Sequence, residues 1–301
     1  MACKTIARLC HGKALDDEYM QVTPPVVSTV TPLCMVGNDD TGAKLISLLE
    51  KCGSACRNVD TRVIRNSRAK YPTNRTALSV LPIYTDGRRG CFFDAASNNE
   101  FTADQLLEMI FELSSDLKSR GVDTAGMSMP TYGSLLFGYP HLLPKMQGQV
   151  LSRFFQQSRK VMINQGIIAL DLNGVPGDIP IVKAGALRSL NDLRNDKVIG
   201  PALQHVDILH MNEDELVLLS GCRILDTNNS HQEDEVVIAK AVELFLQCGV
   251  AIVAVTRGKK GSYVACNIAE RFQQTPALYV FRNNVYCMYI SISISYPYIT
   301  V

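Results

Sequence analysis

The sequence predicts an α/β fold in which helices cover both faces of a mostly parallel sheet, with a small β lid. Three observations lead to this prediction. Apolar strand segments alternate with segments of helical periodicity, which is typical of parallel sheets. One region instead has an Asp-Gly step between two apolar runs, which indicates an antiparallel hairpin. The chain has 301 residues, of which 47% are hydrophobic and 20% charged, enough for one large core.

The N-terminal third supplies the first strand, the first helix and the lid. Residues 1–31 show little periodicity and form an atypical segment, after which residues 33–37 predict a strand and 41–52 a helix. The predicted lid is a hairpin over about residues 77–101, which we expect to form a flap over a site. Its exposed edge could pair with a second copy, which would give a homodimer through the lid.

The remainder of the chain alternates between helices and strands. Thr102 is a polar cap for a helix that extends to Gly121. The further predicted helices cover residues 149–164 and 233–248, and the further predicted strands cover 166–171, 203–211 and 250–256. We expect these elements to continue one domain over residues 32–278.

The C-terminal tail, residues 279–301, differs in composition from the rest. Its Ile-Ser alternation over 290–295 favours a strand, and the segment is too polar and interrupted for a transmembrane helix. A truncated isoform or an incomplete gene model would explain both unusual ends of the chain.

Charge and cysteine usage exclude several classes of function. The net charge of +1 leaves no electrostatic footprint for nucleic acid or an anionic membrane, so neither is an expected partner. The ten cysteines are scattered and no secretory signal peptide precedes them, which favours a cytoplasmic location. The five histidines form no cluster with metal-ligand spacing.

Asn212 and Glu215 stand where a predicted strand becomes a helix. An amide and a carboxylate at this spacing can hold magnesium through water, because magnesium takes few protein ligands. The alternative is a capping box, in which Asn212 is the N-cap and Glu215 hydrogen-bonds back to it. The spacing alone favours the capping box.

The segment from Thr256 to Gly261 ends another predicted strand with a hydroxyl, two glycines and three cations. This composition suits the close approach of a polyphosphate to the backbone, and a tight hairpin turn with solvated lysines is the alternative. The earlier turn at Asp39 and Gly42 departs from a Walker A loop and favours a place on the substrate side.

Five short motifs, in this order, resemble the ribokinase-like (PfkB) family of carbohydrate and nucleoside kinases over residues 32 to 278. They are Val36-Gly37-x-Asp39-x-x-Gly42, Gly87-x-Arg89 followed by Ala95-Ala-Ser-Asn98, Asp171-Leu-Asn173, Asn212-x-x-Glu215 and Thr256-x-Gly258-x-x-Gly261. The resemblance implies an ATP- and magnesium-dependent transfer of the γ-phosphoryl group to a hydroxymethyl of a sugar or nucleoside.

The resemblance also implies roles for individual residues. Asp39, Gly42 and Arg89 would lie near the substrate or lid, and Glu215 would hold magnesium through water. The nucleotide side would comprise Asn173, Asn212, Glu215, Thr256, Gly258 and Gly261.

The family's Asp-Thr-x-Gly-Ala-Gly-Asp motif, which supplies the base and the anion hole, is missing. Thr275–Leu278 resembles the segment leading into it, but no aspartate follows Asp234. Loss of a general base costs about 10²–10⁴-fold in rate, so we expect this chain to be nearly inactive. A non-catalytic nucleotide-binding or regulatory protein and an adenosine-like nucleoside kinase are the alternatives.

Overall fold

The structure, a computed structural model, describes residues 32–56, 62–65, 75–85, 91–119, 132–174, 187–222 and 231–267. The chain divides into two compact units, Met1–Met109 and Ile110–Val301. The atypical segment 1–31, the tail 279–301 and the Asp-Gly turn with Arg89 lie outside the described residues.

The first unit contains one parallel and one antiparallel strand pair. Strand β1 (Leu33–Val36) pairs in parallel with β2 (Arg62–Arg65). Strand β3 (Leu78–Val80) pairs with β4 (Phe92–Asp94) in the antiparallel sense predicted for the lid. The capping of helix α2 (Ala103–Ser119) by Thr102 is confirmed, because Gln105 N donates to Thr102 Oγ1 at 3.4 Å and Thr102 N donates to Gln105 Oε1 at 2.9 Å. The described α-helices of this unit are α1 (Asp40–Cys56) and the start of α2 (Ala103–Ser119).

The second unit is built on a sheet of five strands that lie in chain order. They are β5 (Tyr132–Gly138), β6 (Met162–Asp171), β7 (Ile208–Asn212), β8 (Ile252–Thr256) and β9 (Ser262–Cys266). The first four strands are parallel and β9 is antiparallel to β8, which confirms the mostly parallel sheet. The described α-helices of this unit are α3 (Gln149–Lys160), α4 (Leu190–Arg194), α5 (Glu213–Ser220) and α6 (His231–Gln247). None of the described helices is long and apolar enough to cross a membrane.

Several of the predicted elements have different boundaries in the structure. The predicted strand 203–211 is wrong in its first half, because Gly200–His205 is a 3-10 helix and β7 begins at Ile208. Apolar residues of that turn, Ala202 and Leu203, are buried without being in a strand. The predicted helix 149–164 ends at Lys160, since β6 already begins at Met162.

The two faces of the five-stranded sheet differ in burial. One face carries Leu170, Leu209 and Val253, which are fully buried, and the rings of Phe154 and Phe155 in α3 pack against Phe137 on β5 at 5.8 and 5.6 Å. The opposite face is only part-buried in the described residues. Its middle row, in register across the strands, is Leu136, Ala169, Ile208, Ile252 and Cys266.

A buried ion pair fixes the amino end of β7. Asp207 is fully buried, and its Oδ2 accepts hydrogen bonds from Arg159 in α3 at 2.6 Å and from the backbone N–H of Ile168 at 2.7 Å. Arg159 also donates to the carbonyl of His205. Because a buried carboxylate must be paired, this contact holds α3, β6 and β7 in one arrangement.

Candidate functional site

The parallel strands of the second unit end at one edge of the sheet, here called the carboxyl edge. In register across it, Gly138 pairs with Asp171, Asp171 with His210, and Asn212 with Thr256. Ligands in open α/β sheets bind beyond this edge. The structure therefore brings together the strand-end residues that the sequence assigned to the nucleotide side.

Asn212 and Glu215 form a complete capping box at the start of α5. Asn212 Oδ1 accepts from Glu215 N, and Glu215 Oε2 accepts from Asn212 N, both at 2.8 Å. Glu215 is buried. The capping alternative is confirmed, and the same geometry fixes the amide and the carboxylate at the beginning of a helix whose N-terminus favours anions.

One carboxylate oxygen of Glu215 is not used by the capping box. The box uses Oε2 of Glu215, while Oε1 makes none of the described hydrogen bonds. Among the described residues, no group of three His, Cys, Asp or Glu side chains could hold a metal by itself.

The segment from Arg257 to Gly261, called the glycine turn, joins β8 to β9 in a tight hairpin. Arg257 N donates to the carbonyl of Gly261 at 2.8 Å, and residues Gly258–Lys260 form one 3-10 turn. Gly258 and Gly261 have φ of 57° and 86°, which explains why both are glycines. The hairpin alternative is thus confirmed, and a Cβ on Gly258 would meet no atom within 4 Å, so its backbone is open to a ligand.

Two of the three cations in the glycine turn are engaged by carboxylates. Arg257 Nε donates to Glu213 Oε2 at 2.7 Å, and Lys260 Nζ lies 3.6 Å from Glu213 Oε1 and 3.8 Å from Asp234 Oδ2. Lys259 is exposed. The expectation of solvated lysines therefore holds for Lys259, whereas Lys260 is held by two carboxylates.

Asp171, Asn173 and His210 form a polar cluster at the ends of β6 and β7. His210 Nδ1 donates to Asp171 Oδ1 at 2.7 Å, and the Asn173 amide donates to Asp171 Oδ2. The hydrogen bond to Asp171 raises the pKa of His210 against the opposing effect of burial, and the charges of Asp171 and Glu215 add to the rise. Sequence reasoning did not identify His210, although strand alternation puts it on the same side of β7 as Asn212.

A second histidine lies beyond the end of β5. His141 packs against Gly174, where an added Cβ would be 2.7 Å from His141 Nε2. Burial lowers the pKa of His141, although a hydrogen bond with the Leu172 backbone opposes this. The pKa of His141 is therefore shifted in the opposite direction to that of His210.

Asp39 and Gly42 lie together in the first unit, at the turn from β1 into α1. Asp39 Oδ1 accepts from Thr76 Oγ1 at 2.6 Å and from Gly42 N at 2.8 Å, and Oδ2 accepts from Thr76 N at 2.8 Å. Burial would raise the pKa of Asp39, but these hydrogen bonds outweigh it and lower the pKa. A Cβ on Gly42 would lie 2.5 Å from the carbonyl oxygen of Gly37, so the turn requires glycine.

Comparison with solved structures shows that the chain has a ribokinase-like fold. The ribokinase from Giardia lamblia matches with a TM-score of 0.53 and 13% identity, over 89% of this chain and 60% of that one. The fructokinase from Xylella fastidiosa matches with a TM-score of 0.49 and 15% identity over 89% of this chain and 63% of that one. The ribokinase from Thermotoga maritima matches with a TM-score of 0.48 and 18% identity, over 89% and 61% of the two chains.

The chain spans about 60% of the length of the ribokinase from Giardia lamblia. No family model and no curated protein matches the chain. The fold class predicted from the sequence is confirmed, and the fold is one that carbohydrate kinases have.

Proposed function

We propose that the carboxyl edge of the second unit binds ATP with magnesium, and that the protein's function is transfer of the γ-phosphoryl group to a hydroxymethyl of a sugar. The observation that carries this proposal is the pairing of Asn212 with Thr256. It sets the capped start of α5 directly beside the glycine turn, and the chain has a ribokinase-like fold.

Each nucleotide-side residue has a role that its geometry supports. The N-terminus of α5 favours the negative charge of phosphates, and the exposed Thr256 hydroxyl is available as a hydrogen-bond donor. Gly258 and Gly261 permit a phosphate to approach the backbone of the glycine turn closely. Asn173, held by Asp171, presents its amide at the same edge.

Magnesium, when bound, would neutralise charge on the phosphate oxygens. Glu215 is the residue we propose to hold it through water, because its carboxylate is already oriented by the Asn212 backbone. Because the carboxylate is already fixed, its side chain loses little further conformational entropy when a ligand binds.

For the substrate side we propose Asp39, Gly42 and Arg89. The three hydrogen bonds that Asp39 accepts support a role in shaping the turn after β1. Arg89 lies outside the described residues, so its proposed role rests on the sequence motif. The cytosol, proposed on the sequence alone, is the compartment in which the reaction would occur.

Turnover by this chain alone should be slow. No aspartate follows Asp234 in the 301 residues, so the general base of the family motif has no counterpart. A non-catalytic nucleotide-binding or regulatory role needs only the features at the carboxyl edge, and these are present. Phosphoryl transfer to sugar or nucleoside, rather than nucleotide binding, therefore separates the two proposals.

The test is calorimetric titration of the full chain with MgATP, followed by transfer assays with ribose, fructose and adenosine as acceptors. Thr256→Val removes the proposed hydroxyl ligand and should weaken binding. Ser262→Ala is the matched control, because Ser262 on β9 is also an exposed hydroxyl residue and pairs in register with Thr256 on β8.

Transfer to a sugar would support the sugar kinase, and preferential transfer to adenosine would support the nucleoside kinase. Binding without transfer would make the non-catalytic role the better proposal. If MgATP fails to bind, the proposed function is wrong.

A second copy of the chain is the partner we propose for the lid. Leu78, Val80 and Phe92 in β3 and β4 are each more than half exposed, and the described residues leave both outer edges of this strand pair open. Apolar side chains and open strand edges favour pairing with another chain.

A further inference from the structure

The residues that join the two nucleotide-side motifs stand at positions the motifs leave unspecified. Glu213 lies between Asn212 and Glu215, while Arg257 and Lys260 lie among Thr256, Gly258 and Gly261. The structure brings these three side chains together, although Glu213 and Arg257 are 44 residues apart. Asn212 and Thr256 are neighbours in register, but no described hydrogen bond joins their side chains.

The Glu213–Arg257 ion pair is shielded from solvent. The side chain of Arg257 is 7% exposed and that of Glu213 is 21% exposed, and their Nε and Oε2 atoms are 2.7 Å apart. A charge-assisted hydrogen bond of this length, partly removed from water, is stronger than an exposed ion pair. Lys260 is one-third exposed and farther away at 3.6 Å, so it contributes less.

Ordering the glycine turn costs conformational entropy. Two of its five residues are glycines with positive φ, and glycine is the residue that loses most conformational freedom when it is ordered. Arg257 is the first residue of the turn, and Glu213 is the first residue of α5. The ion pair therefore ties the turn to the helix that carries the capping box.

The same ion pair also controls the charge at the helix start. Glu213, Asp214 and Glu215 place three carboxylates in the first turn of α5, which would repel a triphosphate. Glu215 is engaged by the cap, and Arg257 together with Lys260 contacts both oxygens of Glu213. Pairing thus removes much of the repulsion from Glu213 while holding the turn in place.

We infer that Glu213 and Arg257 are positioning residues, whose ion pair sets the glycine turn against α5 and thereby determines the affinity for a nucleoside triphosphate. This inference rests on the proposed function, because the ligand is the one proposed for the carboxyl edge. Neither residue is assigned a contact with the nucleotide.

The experiment compares the full-length wild type with Glu213→Gln, Arg257→Gln and the charge-reversed double variant Glu213→Arg/Arg257→Glu. Asp214→Asn is the matched control, since Asp214 is an exposed carboxylate of the same helix turn and makes none of the described ion pairs. Two quantities are measured: the Kd for MgATP, and amide hydrogen exchange of residues 257–262 without nucleotide.

Each single variant should weaken MgATP binding by about tenfold, equivalent to roughly 1.4 kcal/mol, and speed exchange in the glycine turn. The double variant restores an attraction without changing net charge, so it should recover part of both losses. Asp214→Asn should leave exchange in the turn unchanged. Tighter binding by Glu213→Gln would mean that the carboxylate only repels phosphate, and would overturn the inference.

Failure of the proposed function can be told apart from failure of the inference. If wild type binds no MgATP, the proposed function and the affinity part of the inference are both overturned. The exchange measurement still decides the positioning part: faster exchange in both single variants supports it, and unchanged exchange overturns it.

Discussion

Asn212 and Thr256 are the last residues of two neighbouring parallel strands, and they pair with each other in register. Asn212 then caps α5, and Thr256 leads into the glycine turn. The pairing makes a helix N-terminus and an open glycine backbone adjacent, although each belongs to a different motif.

Replacing Glu215 should separate its capping role from its proposed magnesium role. In Glu215→Gln the side-chain carbonyl can still accept from Asn212 N, so the free energy of unfolding should fall only by the lost charge interaction with the helix N-terminus, about 0.3–1 kcal/mol. The magnesium dependence of ATP affinity should weaken, because the carboxylate charge is lost. Glu215→Ala should also lose the cap, at about 1 kcal/mol.

Urea unfolding and ATP titrations at several magnesium concentrations measure the two effects. An unchanged magnesium dependence in Glu215→Gln would remove Glu215 from the proposed metal site.

Gly42→Ala should destabilise the first unit. The new Cβ would lie 2.5 Å from the Gly37 carbonyl oxygen and 2.7 Å from Thr76 Oγ1, and the backbone oxygen cannot move without disturbing the turn. We expect a loss of about 1–3 kcal/mol in the free energy of unfolding, typical of overpacking. Gly133→Ala is the control, because nothing lies within 4 Å of its Cβ position. Equal thermal unfolding of the two variants would contradict this prediction.

Arg159→Ala should be far more damaging than Arg75→Ala. Removing Arg159 takes away the guanidinium that the fully buried Asp207 contacts at 2.6 Å, which should cost about 3–5 kcal/mol. Arg75 is 65% exposed in its ion pair with Asp94, so its loss should cost less than about 1 kcal/mol. Denaturant unfolding of both variants measures the difference, and a small effect of Arg159→Ala would show that Asp207 is compensated elsewhere.

His210 and His141 should titrate on opposite sides of the ordinary histidine pKa of 6.5. The pKa of His210 is raised, so its contact with Asp171 stabilises the fold fully below pH 6.5 and progressively less as pH rises through the folded-state pKa. NMR titration of the imidazole protons measures both pKa values. Asp171→Asn should lower the pKa of His210 and leave that of His141 unchanged; no fall for His210 would contradict the assigned cause.

The double substitution Val80→Lys/Phe92→Lys should weaken self-association if the lid pairs with a second copy. Lysine adds charge repulsion and removes apolar surface on strands whose side chains are already exposed. Sedimentation velocity over a range of concentrations should show a shift towards monomer. Leu48→Lys in α1 is the control, because Leu48 is a half-exposed apolar residue outside the lid. A monomeric wild type would disprove the proposed dimer.

Local sequence patterns predicted the elements whose signals lie within a few residues. The Asn212–Glu215 capping box depends on residues three apart, so its spacing alone indicated the correct arrangement. The glycines of the turn after β8 similarly indicated a hairpin. The 3-10 helix Gly200–His205 was not predicted, because its buried apolar residues resemble the beginning of a strand.

The sequence by itself determined the fold class, the strand-to-helix boundaries at the carboxyl edge, and the residue types available there. Only the tertiary structure decided which side chains meet, because that depends on strand register between distant segments. His210 and Asp171 are 39 residues apart and meet because β6 and β7 are in register. Glu213 and Arg257 meet because Asn212 and Thr256, the residues before them, end neighbouring strands in register. Two residues that the motifs leave unspecified therefore form an ion pair.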